Sequence, residues 1–346
     1  MTDQDDRSPN TSDRASKEVV IESVDLTRRF GETVAVAGLN LTVRAGEILG
    51  LVGPDGAGKT TTMRLLAAIM DPTAGRVTLF GHDTVRGASQ IKRRLGYMAQ
   101  RFTLYEDLSV LENLTFYADV YNVYGKSRQA QIERLLRFSR LTEFKDRRAG
   151  QLSGGMQKKL ALACALIHKP DLLLLDEPTT GVDPISRREF WDMLAELHVG
   201  GMTMVICTPY MDEAEHCSRV GLIYEGQLLA CDSPARIKAS IASELLAVWP
   251  ADVRRARDVL RRLDLVHEVQ TYGDQLRVFV SDVGAAQPQL VTALEKAGIA
   301  VQDIRPARVR MEEAFISLIR RQRARHQIDS EHDASASAPA SAPDTG

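Results

Sequence analysis

The sequence predicts an α/β domain followed by a smaller α+β domain. Three observations carry that expectation. Strands and helices alternate along the first part of the chain, the pattern of helices packed on a sheet. A glycine-rich loop, Gly53-Pro54-Asp55-Gly56-Ala57-Gly58-Lys59-Thr60, joins an apolar strand to a helix. After residue 240 the order strand, helix, strand, strand, helix, strand follows.

Taken in order, residues 1–17 are polar, lack apolar periodicity and are expected to be a disordered tail. Strands are predicted at 19–26, 34–43 and 47–52, the last running into the glycine-rich loop. A helix follows over 59–70 and stops at Asp71-Pro72. Residues 107–150 read as mostly helical, and Ser109 with Glu112 has the spacing of a capping box. A strand over 96–99 precedes Gln100, and buried strands are predicted at 171–175, 202–207 and 220–224. Asp232-Ser233-Pro234 supplies cap residues and a first-turn proline for the helix that leaves this domain, taken as 18–240.

The second domain, 241–326, is expected to carry strands at 244–248, 266–271, 275–281 and 299–304, with helices at 252–263 and 285–296. That order is the ferredoxin-like pattern. The strand from Gln275 alternates imperfectly, because Phe279 falls on its polar side. A last helix gathers Met311, Phe315, Leu318 and Ile319 on one face, with Arg320, Arg321, Arg323 and Arg325 at its end. These arginines, and the group from Arg254 to Arg262, read as solvated helix surface. The Pro/Ala/Ser-rich stretch 327–346 is too poor in apolar residues to fold alone.

Composition sets limits on function. The 346 residues are 44% hydrophobic and 26% charged with a formal net charge of −2, as in an ordinary globular protein. That balance argues against a nucleic-acid binder, which would show a strongly basic domain. Cys164, Cys207, Cys217 and Cys231 form no zinc spacing and are expected as reduced thiols. No segment approaches the roughly 18 consecutive apolar residues that span a bilayer. The N-terminus does not resemble a secretory signal.

Three motifs carry chemistry. The loop matches the Gly-x4-Gly-Lys-Thr phosphate-binding pattern in full: Gly53, Pro54, Asp55, Gly56, Ala57 and Gly58 turn backbone N–H groups toward phosphate. Lys59 reaches the β/γ oxygens, Thr60 offers a hydroxyl to Mg²⁺, and Thr61 continues the first turn. Four leucines, Leu172 to Leu175, form a buried strand that delivers Asp176 and Glu177 to the ligand crevice. Ser153-Gly154-Gly155 opens a helix and is a second place where an anion can sit.

The order of these motifs resembles the nucleotide-binding subunit of an ATP-binding-cassette (ABC) transporter over roughly residues 18–240. The resemblance implies a cassette with a mixed-sheet core and a helical subdomain, binding ATP and Mg²⁺. It implies Mg²⁺ contact by Asp176 and Thr60, contact of the catalytic Gln100 with Mg²⁺ or the lytic water, and water activation by Glu177. It places Phe30 against adenine, where tyrosine is usual, and Asp183 in a loop linking opposed sites. Ser153, Gly154 and Gly155 would contact the γ-phosphate held by a second ATPase subunit, most simply a second copy of this chain.

Two positions depart from the family pattern. Asp55 replaces its usual asparagine and sets an acid beside bound phosphate. Pro209, in Thr208-Pro209-Tyr210-Met211-Asp212-Glu213-Ala214-Glu215, replaces a histidine that contacts the γ-phosphate; proline offers neither imidazole nor N–H, and reduced turnover is the expectation. Neither His198 nor His216 is placed to substitute. With the small C-terminal domain, the whole resembles ATPases of bacterial multidrug and antibiotic exporters. They act at the cytoplasmic face of the membrane on separate transmembrane permease subunits. The rival reading, an ABC ATPase acting on nucleic acid or ribosomes, would lead one to expect two cassettes or a long coiled-coil insertion, and this chain has neither. A regulatory, slowly hydrolysing subunit is a third reading.

Overall fold

A computed structural model describes residues 18–101, 104–241 and 243–336, with side chains to residue 323. The chain forms two compact units, which divide between Ser233 and Pro234. The expected N-terminal tail lies outside the described residues.

In the first unit β1 (Val19–Phe30), β2 (Thr33–Arg44) and β3 (Ile48–Val52) lead to α1 (Lys59–Leu66). Then come β4 (Ala74–Leu79), β5 (His82–Asp83), α2 (Ala88–Arg94), β6 (Leu95–Met98), α3 (Val110–Val120), α4 (Gly125–Phe138) and α5 (Gly154–Ala165). The unit closes with β7 (Leu172–Asp176), α6 (Pro184–Val199), β8 (Thr203–Thr208), β9 (Arg219–Tyr224) and β10 (Gln227–Asp232).

Two sheets result. An antiparallel one has the order β2-β1-β4-β5. The other has the order β10-β9-β3-β8-β7-β6, parallel throughout except for β10. Ile21, Leu51, Leu66, Leu174 and Val205 belong to one core cluster that joins both sheets and α1. Each fully buried leucine of β7 contributes roughly 1.5–3 kcal/mol.

β1 runs past the expected end at Leu26 because it tolerates a bulge. Asp25 has a φ of 49° and shifts the register between Ser23 and Leu26. Asn40 on β2 receives the Asp25 N–H at 2.9 Å and holds the kink. The first helix stops at Leu66, four residues short of expectation, since Ala68 takes a φ of 53°. The capping box of α3 is present, with Ser109 and Glu112 each receiving the other's N–H. Strands β4, β5 and β10 add to the expected set.

The second unit contains α7 (Pro234–Ala239), β11 (Glu244–Pro250), α8 (Val253–Leu260), β12 (Val266–Tyr272), β13 (Gln275–Val280), α9 (Val283–Lys296), β14 (Val301–Ala307) and α10 (Met311–Ala336). It starts before α7 rather than after it, as α7 packs with α10. The sheet order β12-β13-β11-β14, antiparallel at every step, is that of the ferredoxin-like arrangement. Asp252 and Asp282 cap α8 and α9 by accepting the N–H groups of Arg255 and Ala285.

Leu246, Val248, Leu276, Val278 and Leu290 fill the core between sheet and helices. Phe279 is buried despite lying on the opposite face. α10 covers that face there: Glu313 pairs with Arg277, and Ser317 donates to Glu268 on β12. The helix is described to Ala336, so it occupies the first part of the stretch expected as a tail; residues 337–346 lie outside the described ones.

Candidate functional site

Strand register builds the site. Val52 pairs with Thr208, Cys207 with Asp176, and Met98 with Leu175. The carboxyl ends of β3, β8, β7 and β6 therefore line up along one edge. The residues that follow them are the phosphate loop, Pro209, Glu177 and Gln100, and this edge is where parallel α/β sheets bind ligands.

The loop is shaped by close backbone approach. A Cβ on Gly53 would stand 2.1 Å from the Ile223 carbonyl oxygen, and one on Gly58 would stand 2.2 Å from that of Ala35. Gly58 also has a φ of 99° where it caps α1. Pro54, Asp55 and Gly56 are exposed at the rim, Ala57 is buried, and Thr61 is half-buried on the first turn of the helix. The Lys59 side chain is 3% exposed, and its ammonium donates to the carbonyls of Gly53 at 2.8 Å and Pro54 at 2.9 Å. It lies 3.8 Å from Glu177 Oε1 and 3.9 Å from Asp55. The Asp55 side chain is 92% exposed, which dilutes its field at the loop.

Thr60 donates its hydroxyl to Asp176 Oδ1 at 3.1 Å. Asp176 is fully buried, and its Oδ2 has no hydrogen-bond partner. Burial pushes its pKa up, and the Thr60 hydrogen bond opposes the shift. An unpartnered buried carboxylate oxygen beside a threonine hydroxyl suits a hard cation such as Mg²⁺, which takes oxygen ligands.

Glu177, with a φ of 50°, turns out of β7 under control of its neighbours. Its Oε2 receives Gln100 Nε2 at 2.8 Å and the Thr180 hydroxyl at 3.3 Å. The sequence-predicted Lys59, Thr60, Gln100, Asp176 and Glu177 thus form one cluster. Three further contributors escaped sequence reasoning. Lys158, on α5, donates to the carbonyl oxygens of Glu177 at 3.3 Å and Gln100 at 3.4 Å. Its burial lowers its pKa, against the pull of Glu177 and Asp176. The other two, Thr180 and Thr179, follow Glu177-Pro178; Thr179 donates to the buried Glu213 at 2.6 Å. Lys158 had a signal, a lysine entering the apolar run that fills the rest of its helix; the threonines had none.

The second turn stands apart. Among the described residues no hydrogen bond or ion pair joins Ser153, Gly154 or Gly155 to the phosphate loop. Ser153 caps α5 by accepting the Met156 N–H. Gly155 is pressed against α6, where a Cβ would meet Ser186 at 2.5 Å. Gly154 has only the Gly181 carbonyl near it, at 3.8 Å.

Phe30 is 45% exposed at the end of β1, with the Arg28 guanidinium 4.7 Å from its ring centre, so it is not a core residue. Asp183 caps α6 by accepting the N–H groups of Ile185 and Ser186, which hold its pKa down. Beyond β8, Thr208 accepts the Tyr210 N–H at 3.1 Å around Pro209. Arg187 on α6 stacks on Tyr210 and lies 3.6 Å from Asp212 and 3.7 Å from Glu213. His216 stacks on Trp191, a structural role.

The sequence matches the ABC transporter family over residues 36–180. It is 36% identical over 300 residues to the Nod factor export ATP-binding protein I of Burkholderia lata, covering 86% of this chain and 96% of that protein. The chain belongs to the ABC transporter ATP-binding proteins. It is 34% identical over 293 residues to the daunorubicin resistance ATP-binding protein DrrA3 of Streptomyces coeruleorubidus, covering 84% and 93%. A probable multidrug ABC transporter ATP-binding protein, YbhF of Escherichia coli K12, is 42% identical over 298 residues; the alignment takes in 85% of this chain and 51% of YbhF, so the chain spans about half of that relative.

Solved ABC cassettes share the fold. An ATP-binding subunit of an ABC transporter superposes with a TM-score of 0.59 at 26% identity over 64% of this chain and 92% of its own. A dimeric cassette in a post-hydrolysis state with ADP and Pi gives 0.56 at 26% identity over 62% and 98%. Among the described residues, no helix is long and apolar enough to cross a membrane.

Proposed function

We propose that the chain is the ATP-hydrolysing subunit of an exporter. Two copies would close around two ATP molecules and reopen on hydrolysis, driving separate transmembrane permease subunits from the cytoplasmic face of the membrane. One observation carries the reading: Lys59, Thr60, Gln100, Asp176 and Glu177 converge, while the Ser153-Gly154-Gly155 turn stands outside that convergence with its first glycine open. A turn built this way suits a nucleotide held by another subunit.

In this reading the loop from Gly53 to Thr61 cradles the phosphates, and Lys59 exchanges its carbonyl partners for phosphate oxygens. Thr60 and Asp176, with Gln100, would hold Mg²⁺. Bound there, the ion would neutralise the charge on the phosphates. Glu177 orients and deprotonates the attacking water, steadied by Gln100, Thr180 and the Lys158 ammonium beneath. Phe30 offers a ring to adenine. Asp183 stiffens the start of α6 beside Gly155. The names of two relatives, multidrug and daunorubicin resistance, support drug or antibiotic molecules as cargo, while a third is named for Nod factor export.

Pro209 favours a second reading within the same class, a subunit that closes on ATP more readily than it consumes it. An ATPase assay with the wild type and Glu177→Gln separates the two. Turnover that depends on Glu177 supports the first; absence of turnover in the wild type with intact ATP binding supports the second. Co-purification with membrane proteins encoded beside the gene tests the transport role. Recovery of the chain with ribosomes or nucleic acid instead would overturn it.

A further inference from the structure

The sheet of the C-terminal unit is covered on one face by α8 and α9 and on the other only in part by α10. Beside α10 that second face holds a groove of about 470 Å³, within the range of small-ligand pockets. Trp249, Gln275, Arg277, Arg305, Arg308 and Arg310 line it. Its floor is shallow at Ala247, which pairs with Arg277 on one neighbouring strand and Arg305 on the other, so two arginines flank a methyl group.

The groove has more positive charge than its neighbours neutralise. Arg305 lies 3.6 Å from Asp303, and Arg277 lies 3.8 Å from Glu313. No ion pair engages Arg308 or Arg310 among the described residues. Four guanidinium groups therefore face two carboxylates. Arg277 is the informative one. Its side chain is 8% exposed, its Nε makes no hydrogen bond, and its carboxylate partner stands beyond hydrogen-bond reach. Gln275 Oε1 is a buried acceptor likewise without a donor. Unfilled groups of this kind are costly, and a ligand oxygen and a ligand N–H or O–H would fill them. Trp249 adds a flat surface, with the Arg305 guanidinium 4.7 Å from its ring centre.

We infer that this groove binds a small phosphate ester carrying a flat ring, of the nucleoside monophosphate class. The arginine forks take the phosphate, the ring stacks on Trp249 in the plane now covered by Arg305, and a ligand hydroxyl or amino group donates to Gln275. A single stacking platform fits one base; tracking a strand requires successive ones.

The chain has two tryptophans, Trp191 in the first unit and Trp249 in the groove. In the full chain carrying Trp191→Phe, Trp249 emission is titrated with AMP, adenosine, ribose 5-phosphate and inorganic phosphate. AMP is expected to give a saturable change and to bind about tenfold more tightly than either half-molecule. Arg305→Ala and Arg308→Ala, both at exposed positions, should each weaken AMP by about tenfold. Lys59→Ala should leave it unchanged, which excludes the phosphate loop as the source. If Trp191→Phe does not fold, fluorine NMR of the 5-fluorotryptophan-labelled wild type follows the Trp249 line directly. A Trp249 signal indifferent to AMP, equal binding in the arginine variants, or a single-stranded oligonucleotide that binds more tightly than AMP would each overturn the assignment.

Discussion

Two glycine-bearing turns open helices in the same unit, and their glycines meet different surroundings. At the phosphate loop, Gly53 and Gly58 are pinned by the carbonyls of Ile223 and Ala35, and a lysine, a threonine and two acids converge behind them. At the Ser153 turn, one glycine is pinned by Ser186, the other meets only the Gly181 carbonyl at ordinary contact distance, and the first turn of the helix carries no acid. In the proposed function the first turn would hold a nucleotide with its own chain's groups, and the second would be presented to one held by a partner subunit. Glycine at both places reads alike in sequence; only the neighbours of each missing Cβ distinguish packing from presentation.

The largest expected effect tests the first turn. Glu177→Gln should lower turnover by about 10²–10⁴-fold while ATP binding survives, read by a phosphate-release assay beside nucleotide titration. Equal turnover would mean that the convergence around Glu177 is not the hydrolytic centre.

The second turn is tested by splitting its glycines. Gly155→Ala places a methyl group against Ser186 and should cost about 1–3 kcal/mol, lowering Tm by several degrees. Gly154→Asp meets nothing closer than the Gly181 carbonyl, 3.8 Å from the new Cβ, at a helix N-terminus that favours an acid, so Tm should hold. ATP-dependent dimerisation, followed by light scattering, should nevertheless be lost, because a carboxylate would confront the partner's γ-phosphate. A Gly154→Asp chain that still dimerises on ATP would break the contrast.

Smaller effects sharpen it. Pro209→His adds a donor at the end of β8, beside the phosphate loop, and should raise turnover by about tenfold, the worth of one charge-assisted hydrogen bond. Little change would remove proline as the brake. Asp55→Asn should tighten ATP by no more than about fivefold, as expected of a solvated charge contributing ~1 kcal/mol or less. A far larger gain would place that carboxylate against the phosphates.

Much of this was legible in the sequence, and what was not has physical causes. The leucine strand, the phosphate loop and the capping box at Ser109 are local patterns, and each takes the form its residues dictate. β4 was hidden because it starts Ala74-Gly75-Arg76 and lies across polar positions that only pairing with β1 explains. Phe279 broke the alternation of β13 because α10, more than thirty residues on, covers the face read as solvent-exposed. The members of the site were readable by type, but their convergence depends on register between β3, β8, β7 and β6. Lys158 could not be placed at all without knowing that α5 passes beneath two backbone carbonyls.

That passage has a consequence for timing. α5 carries the presented turn at its start and Lys158 one turn later, where it holds the backbones of Gln100 and Glu177. In a closed dimer one rigid rod would rest its tip on the neighbour's nucleotide and its shaft on its own reaction centre. Engagement on one side then adjusts the other without any contact between the two ATP molecules. ATP consumption should accordingly rise with a Hill coefficient above one, and Lys158→Met, which keeps the bulk and removes the ammonium, should flatten that curve toward simple saturation.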